Sequence, residues 1–325
     1  MAPTLLQPPV REDLHGGEVS DSIASFASLR SRSTASSVRS TRGPLEESYD
    51  LKVPLGEGRF GTVREVVRKG SKERFAVKVM ESGKDSESEF KALAELHHPN
   101  IVELHEAREH NGTAYFIMDL CKGGTLMQWM QDRFEKHLGK ELYQRPSSRQ
   151  LGRLLWQTLD AVRYLHSSCI VHRDIKPQNM LLVKGGPNPQ LKLADFNLAT
   201  ELQGEPLTKC CGTPGYMAPE VVTGKYSELC DMWSVGVVFY QMVTGLRLWK
   251  DVETKEDHFS QLLAETPLTL QTTAAWSIHG EGARDLAQEM LLLESQGRST
   301  AAGAMEHDWL QKHALGAEQG CCTIS

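Results

Sequence analysis

The sequence predicts an α+β protein in two unequal lobes, a small sheet-rich half followed by a larger helical half. Three observations carry this. Short β-rich runs crowd into the first half: YDLKVPLG, GTVREVVRK, RFAVKVME, IVELHEAR and TAYFIMDL, set apart by turn signals such as Lys69-Gly70-Ser71 and Asn111-Gly112. A single helical stretch, about Ser86 to Leu96, interrupts them. After Gly124 the apolar residues change to helical spacing, with Leu151, Leu154, Leu155, Thr158, Leu159, Val162 and Leu165 on one face. Asp231 to Thr244 is apolar enough for a buried helix, and Asp285 to Leu293 and Thr300 to His313 read as two more. A cleft between the lobes is the expected place for a ligand.

Composition excludes several classes. The chain has 325 residues, with 36 Lys and Arg against 42 Asp and Glu, a net charge of −6. A mildly acidic balance argues against a nucleic-acid binder, whose footprint is basic. No apolar run is long enough for a transmembrane helix, and the first residues lack a secretory pattern. The 7 cysteines are irregularly spaced and include no CxxC pair, so reduced thiols in the cytoplasm are expected and a zinc site is not.

Residues 1–47 differ from the rest. Between Ala24 and Gly43 lie seven Ser, two Thr and four Arg with no acid. Such a stretch buries too little apolar surface to offset its ordering entropy, so a disordered arm is expected. It is either a solvated tail or a phosphorylated arm, since Ser33, Thr34 and Ser36 follow Arg30 and Arg32. Residues 48–311 form the predicted globular part, dividing near 121/122, and residues 312–325 form a tail.

The chemistry is carried by a series of motifs. Gly56-Glu57-Gly58-Arg59-Phe60-Gly61 could be a plain turn or a dinucleotide loop, but a Val-rich strand follows it, whereas a dinucleotide loop opens a helix. Glycines there let backbone amides approach phosphate oxygens. Lys78 arrives on the next strand in Ala76-Val77-Lys78 and requires a phosphate or carboxylate partner. Glu87, Glu89 and Glu95 are the candidates on the following helix, with Glu89 favoured. Val171-His172-Arg173-Asp174-Ile175-Lys176-Pro177-Gln178-Asn179 combines a base, a cation and an amide within a few residues. Asp195-Phe196, the run Gly212-Thr213-Pro214-Gly215-Tyr216-Met217-Ala218-Pro219-Glu220, and Asp231-Met232-Trp233-Ser234-Val235-Gly236 follow in order.

In that order the motifs resemble those of the eukaryotic protein kinases, over about residues 49–311. The resemblance implies ATP and Mg²⁺ as cofactors and protein Ser/Thr hydroxyls as acceptors. It places Gly56, Gly58 and Gly61 over the ATP phosphates, Val63, Ala76 and Leu181 around adenine, and Leu55 among the other ATP-binding residues. Met118 looks like the gatekeeper, and Asp119 to Cys121 like the hinge. Lys78, braced by Glu89, would hold the α/β-phosphates. Asp174 would accept the hydroxyl proton and Lys176 would steady the γ-phosphate, while Asn179 and Asp195 would ligate Mg²⁺. Glu220 would pair with Arg298. Thr213 would bond toward Asp174 and Lys176, and Leu93, Leu104, His172 and Phe196 match the apolar spine that couples the lobes. Lys176 and Gly212-Thr213-Pro214 look like the Ser/Thr branch, most similar to the calcium/calmodulin-dependent group. Thr208 is the best activation-loop phosphate acceptor, since a phosphate there could meet Arg173; the alternative is an unmodified loop residue. No EF-hand pattern appears, so direct calcium binding is not expected. A calmodulin-binding tail is not evident either.

The chain departs from the family at several positions. Asn197 stands where Gly follows Asp-Phe, and Asn is the residue next most tolerant of the left-handed backbone region. Gln178 replaces a frequent Glu, and Thr125 stands where an acid often meets ribose. Asn197, together with the short linker from Lys78 to the helix carrying Glu89, leaves a rival reading, a nucleotide-binding scaffold without turnover. At the end, Cys322-Thr323-Ile324-Ser325 fits the C-a-a-X prenylation pattern. Cys322 is therefore either a lipid attachment point that would bring the protein to a membrane, with Cys321 beside it, or one of two thiols in a frayed tail.

Overall fold

A computed structural model describes residues 38–58, 61–134, 145–249 and 274–316, together with positions 252, 254, 257 and 270. Its first lobe is a six-stranded sheet in the order β1-β5-β6-β4-β3-β2. The strands are β1 (Arg39–Arg42), β2 (Tyr49–Gly58), β3 (Gly61–Arg68), β4 (Arg74–Glu81), β5 (Leu104–His110) and β6 (Thr113–Met118). Helix α1 (Lys84–Leu93) follows β4 and buries Glu89, Phe90 and Leu93. All pairings are antiparallel except β1 with β5, which is parallel.

Strand β1 corrects the expectation for the arm. Within the stretch read as disordered, Arg39–Arg42 form a strand of the sheet and Leu45–Glu47 a 3-10 turn; residues 1–37 lie outside the described residues. The reason is a buried polar receptor on β5. Glu106 and Arg108 are ion-paired at 2.8 Å and nearly inaccessible to solvent. Thr41 donates to Glu106 Oε1 (2.8 Å) and Tyr49 to Glu106 Oε2 (2.9 Å). Arg108 donates to the Pro44 carbonyl (2.8 Å) and the Ser48 hydroxyl (3.0 Å). Val38 and Leu45 are buried beside this network. Burial alone would raise the Glu106 carboxyl, yet donation by Arg108, Thr41 and Tyr49 holds it below its ordinary value. Polar composition over 24–43 signals disorder only while the partners, some sixty positions further along the chain, stay out of view.

The second lobe is built on α3 (Ser148–Ser167) and α5 (Leu229–Thr244). Helix α3 starts where Ser147 accepts from the Gln150 amide N–H (3.2 Å) and Gln150 Oε1 accepts from the Ser147 N–H (3.0 Å), a reciprocal cap. Every predicted apolar position of α3 is buried. Helix α5 is buried all round, as an almost continuously apolar run requires. Helix α2 (Leu126–Phe134) precedes α3, and between α3 and α5 come β7 (Ile170–Val171), β8 (Met180–Leu182), β9 (Leu191–Leu193), β10 (Thr200–Glu201) and α4 (Pro219–Thr223). Helices α6 (Ala274–His279), α7 (Glu281–Met290), α8 (Ala301–Met305) and α9 (Asp308–Leu310) complete the described lobe.

The single helix expected over Thr300 to His313 is broken. The chain leaves helical geometry at His307, whose side chain caps the next turn by accepting from the Trp309 N–H (3.2 Å). Residues Gln311–Leu315 then form a π-helical turn. The β-run from Ile101 also starts late, at Leu104, because Val102 N–H bonds the Leu193 carbonyl instead (2.9 Å).

Candidate active site

A cleft of about 540 Å³ lies between the lobes, within the range of small-ligand sites. Leu55, Gly56, Gly58, Gly61 and Val63 form one wall on β2 and β3, with Ala76 and Lys78 behind them on β4. Glu89 enters from α1, Met118, Asp119 and Cys121 from the end of β6 and the residues after it, and Leu181 from β8. Asn179 and Asp195 close the opposite side. Val102, Thr125 and Gln128 also line it; no motif marks Val102, which arrives because its backbone is tied to Leu193.

The glycines are there for different causes. A Cβ on Gly61, where φ is 136°, would stand 2.1 Å from the Val79 carbonyl oxygen, so the sheet itself excludes any other residue. A Cβ on Gly56 would meet nothing within 4 Å. There the missing side chain leaves room for a ligand rather than for protein.

Lys78 donates to both carboxylate oxygens of Glu89 (2.8 and 3.0 Å) and to Asp195 Oδ1 (3.0 Å). Burial works against its charge, but the Glu89 and Asp195 carboxylates outweigh it and hold the ammonium above its ordinary value. A charged lysine is thus held over the cleft, and Glu89 is the partner rather than Glu87 or Glu95.

Asp174 and Lys176 sit just beyond the cavity wall, behind Asn179. Asp174 Oδ1 accepts from Thr213 (2.6 Å), and Oδ2 accepts from Lys176 (2.8 Å) and from Asn179 Nδ2 (3.0 Å). Lys176 also donates to the Thr213 hydroxyl (2.7 Å). With its Nδ2 committed to Asp174, Asn179 presents its carbonyl oxygen, which accepts no hydrogen bond among the described residues. An amide oxygen and the Asp195 carboxylate are hard oxygen donors of the kind Mg²⁺ takes, so these two residues fit that ion.

The loop bearing Asp174 is held from below. Asp231, fully buried, accepts from the backbone N–H groups of His172 and Arg173 (2.8 Å each) and pairs with His166 (3.1 Å). His172 packs edge-on against Phe196 with ring centroids 4.8 Å apart, and Leu93 and Leu104 are buried with them in one core. Arg298 donates to both Glu220 oxygens (2.6 and 3.1 Å).

Asn197 departs from its expected role. The left-handed residue of this turn is Asp195, at φ 65°, and Asn197 is not among the positive-φ positions. Its side-chain amide instead donates to Asp195 Oδ1. Side-chain chemistry, not backbone tolerance, explains the asparagine.

At the hinge, burial would raise the Asp119 carboxyl. Hydrogen bonds from His105, Lys192 and the Glu103 N–H outweigh that and hold it at about 2, down from 3.8. A depressed carboxyl stabilises the fold above its unfolded value and loses that contribution as pH falls through the folded one. The Asp119→Asn variant should therefore show a shallower loss of urea stability than the parent between pH 4 and pH 2; equal slopes would show that the interactions persist on unfolding. Burial, and then the Asp119 carboxylate, push the neighbouring Cys121 thiol up to about 11, which leaves it an unreactive contact.

Thr208 is exposed beside the Leu207–Tyr226 bridge. The Arg173 guanidinium bonds the Leu198 carbonyl (2.6 Å) and the Tyr226 hydroxyl (3.3 Å). Cys321 and Cys322 lie outside the described residues. Among the described residues no helix is long and apolar enough to cross a membrane.

A two-lobed fold with this cleft, this lysine–glutamate pair and this aspartate loop defines a protein kinase, and the family model for the protein kinase domain matches residues 49–310. The chain belongs to that family. It is 33% identical over 279 residues to the calcium/calmodulin-dependent protein kinase type II alpha chain of Drosophila melanogaster, covering 82% of this chain and 50% of the relative. The calcium/calmodulin-dependent protein kinase type IV of Rattus norvegicus is 33% identical over 276 residues, covering 83% of this chain and 56% of the relative. The type 1 enzyme of Macrobrachium nipponense is 32% identical over 294 residues, covering 86% and 80%. The chain thus spans about half the length of the first two relatives.

Proposed function

We propose that the protein is a Mg²⁺–ATP-dependent kinase that phosphorylates Ser and Thr hydroxyls of proteins. The observation that carries this reading is the shared hydrogen-bond set on Asp174: Thr213, Lys176 and Asn179 all donate to one carboxylate. An aspartate held this way is fixed in orientation, as a base for an incoming hydroxyl must be. Phosphoryl transfer asks little covalent help of a protein; it asks for alignment and for cations around spreading negative charge. Lys78 and Lys176 are those cations. Mg²⁺ on Asn179 and Asp195 would neutralise phosphate oxygens. Val63, Ala76 and Leu181 offer the apolar walls for adenine.

Lys176 and Thr213 bonded to each other and to Asp174 support hydroxyl acceptors of Ser/Thr type, in line with the resemblance. The relatives' names carry calcium and calmodulin, and regulation by that pair is a property to be tested on this chain. The rival reading, a nucleotide-binding scaffold, draws on Asn197. Yet Asn197 contacts Asp195 without displacing Lys78.

The test is labelled phosphate transfer from Mg²⁺–ATP to a peptide mixture containing Ser, Thr and Tyr acceptors. Phosphoserine and phosphothreonine should appear and phosphotyrosine should not. Signal no greater than that of an Asp174→Asn control would refute catalysis.

A further inference from the structure

The mechanism above leaves Asn197 without a part. It is buried at 9% exposure, lines the nucleotide cleft and ends in a carboxamide where the family usually has no side chain. Its Nδ2 donates to Asp195 Oδ1, the same oxygen that receives Lys78 at 3.0 Å. Its own Oδ1 is buried and accepts nothing among the described residues. The amide could not be turned the other way round, since that would set its oxygen against a carboxylate oxygen.

Two donors on one carboxylate oxygen fix how the group turns. With Oδ1 held by Lys78 and Asn197, Asp195 presents Oδ2 as its remaining acceptor. A glycine in place of Asn197 would leave Lys78 alone on Oδ1, and a single long, flexible ammonium restrains rotation less than a short planar amide two residues away. The Asp195 backbone is already in the left-handed region at φ 65°, so its side chain swings from a sparsely populated conformation. A group that pins a metal-ligating carboxylate typically changes metal affinity strongly without touching the metal.

From this geometry we infer that Asn197 is a positioning residue for the divalent cation: its amide orients the Asp195 carboxylate toward Mg²⁺, so that this chain's Asp-Phe-Asn sequence tightens Mg²⁺ binding in the nucleotide complex. The inference rests on the nucleotide-binding reading given above. It makes Asn197 a compensated replacement rather than a defect.

The test uses the full chain and reads binding, not turnover. Thermal melting is followed while Mg²⁺ is titrated at a fixed saturating concentration of the β,γ-imido analogue of ATP, and again with analogue alone. Asn197→Ala removes the donor and the unpartnered oxygen together. Asn197→Gly restores the usual family residue and serves as the second variant. Each should raise the half-saturating Mg²⁺ concentration about tenfold, while the affinity for metal-free analogue stays within about twofold of the parent. A merely structural role would instead lower the unliganded melting temperature and leave the Mg²⁺ midpoint in place. A midpoint within about twofold of the parent in both variants, or a tighter one, overturns the inference while the nucleotide reading stands. A parent chain whose melting ignores analogue and Mg²⁺ together overturns both.

Discussion

Asp174→Asn lowers phosphate transfer by about 10²–10³-fold or more, with nucleotide affinity nearly unchanged. Asparagine has almost the same shape but a single oxygen, so either Thr213, now on Oδ1, or Lys176 and Asn179, now on Oδ2, lose their acceptor. It has no anionic oxygen and cannot accept a hydroxyl proton. One of its termini becomes an N–H donor facing Asn179 Nδ2 or Thr213, both of which donate to Asp174 now. The variant thus loses the proposed base and disturbs the amide of Asn179, the proposed Mg²⁺ ligand. Steady-state rates together with analogue binding separate the two effects: kcat should fall and binding should not. A variant with parental kcat would mean that Asp174 takes no part in the chemistry.

The largest loss of stability should follow from Arg298→Ala. The Arg298 side chain is completely buried. It donates to both Glu220 oxygens, to the Leu229 carbonyl (2.7 Å) and to the Leu292 carbonyl (2.9 and 3.1 Å), and its guanidinium lies 5.2 Å from the Trp233 ring centre. Truncation strands a mostly buried carboxylate and leaves two carbonyls without this donor. Removing one partner of such a pair costs about 3–5 kcal/mol, which for a domain of this size lowers Tm by on the order of 10 °C. Arg298→Lys should recover little, because an ammonium cannot reproduce the fork that reaches two carboxylate oxygens at once. A Tm within about 2 °C of the parent for the Ala variant would show that the site collapses without cost.

Much of the site was legible in the sequence because kinase chemistry is concentrated in short stretches. His172 to Asn179 carries an aspartate, a lysine and an asparagine in fixed order, and their mutual contacts follow from nearness in the chain. Glu89 was readable for a related reason, since one helix separates it from Lys78. Other features resist a linear reading because their cause lies far away. Nothing in Leu104-His105-Glu106-Ala107-Arg108 says that Glu106 and Arg108 point inward; the alternation suggests a half-exposed edge strand. They become buried only because Thr41, Pro44, Ser48 and Tyr49 satisfy them. The break at His307 is similarly non-local, set by where Trp309 must bury its ring: its Nε1 donates to the His279 carbonyl (2.8 Å). At Asn197 the residue type was read through backbone conformation, and the structure answers with a side-chain hydrogen bond.

The added strand β1 also bears on how the molecule is to be handled. The family-model match begins at Tyr49, but the described sheet already includes β1, Arg39–Arg42. A fragment cut to the family's limits would strip four backbone partners from β5 and expose a long, ladder-ready margin to neighbouring molecules. The same cut would open an ionised carboxylate–guanidinium couple to water on one side only. Insolubility of so trimmed a domain would reflect this lost seam rather than any defect in the catalytic lobes.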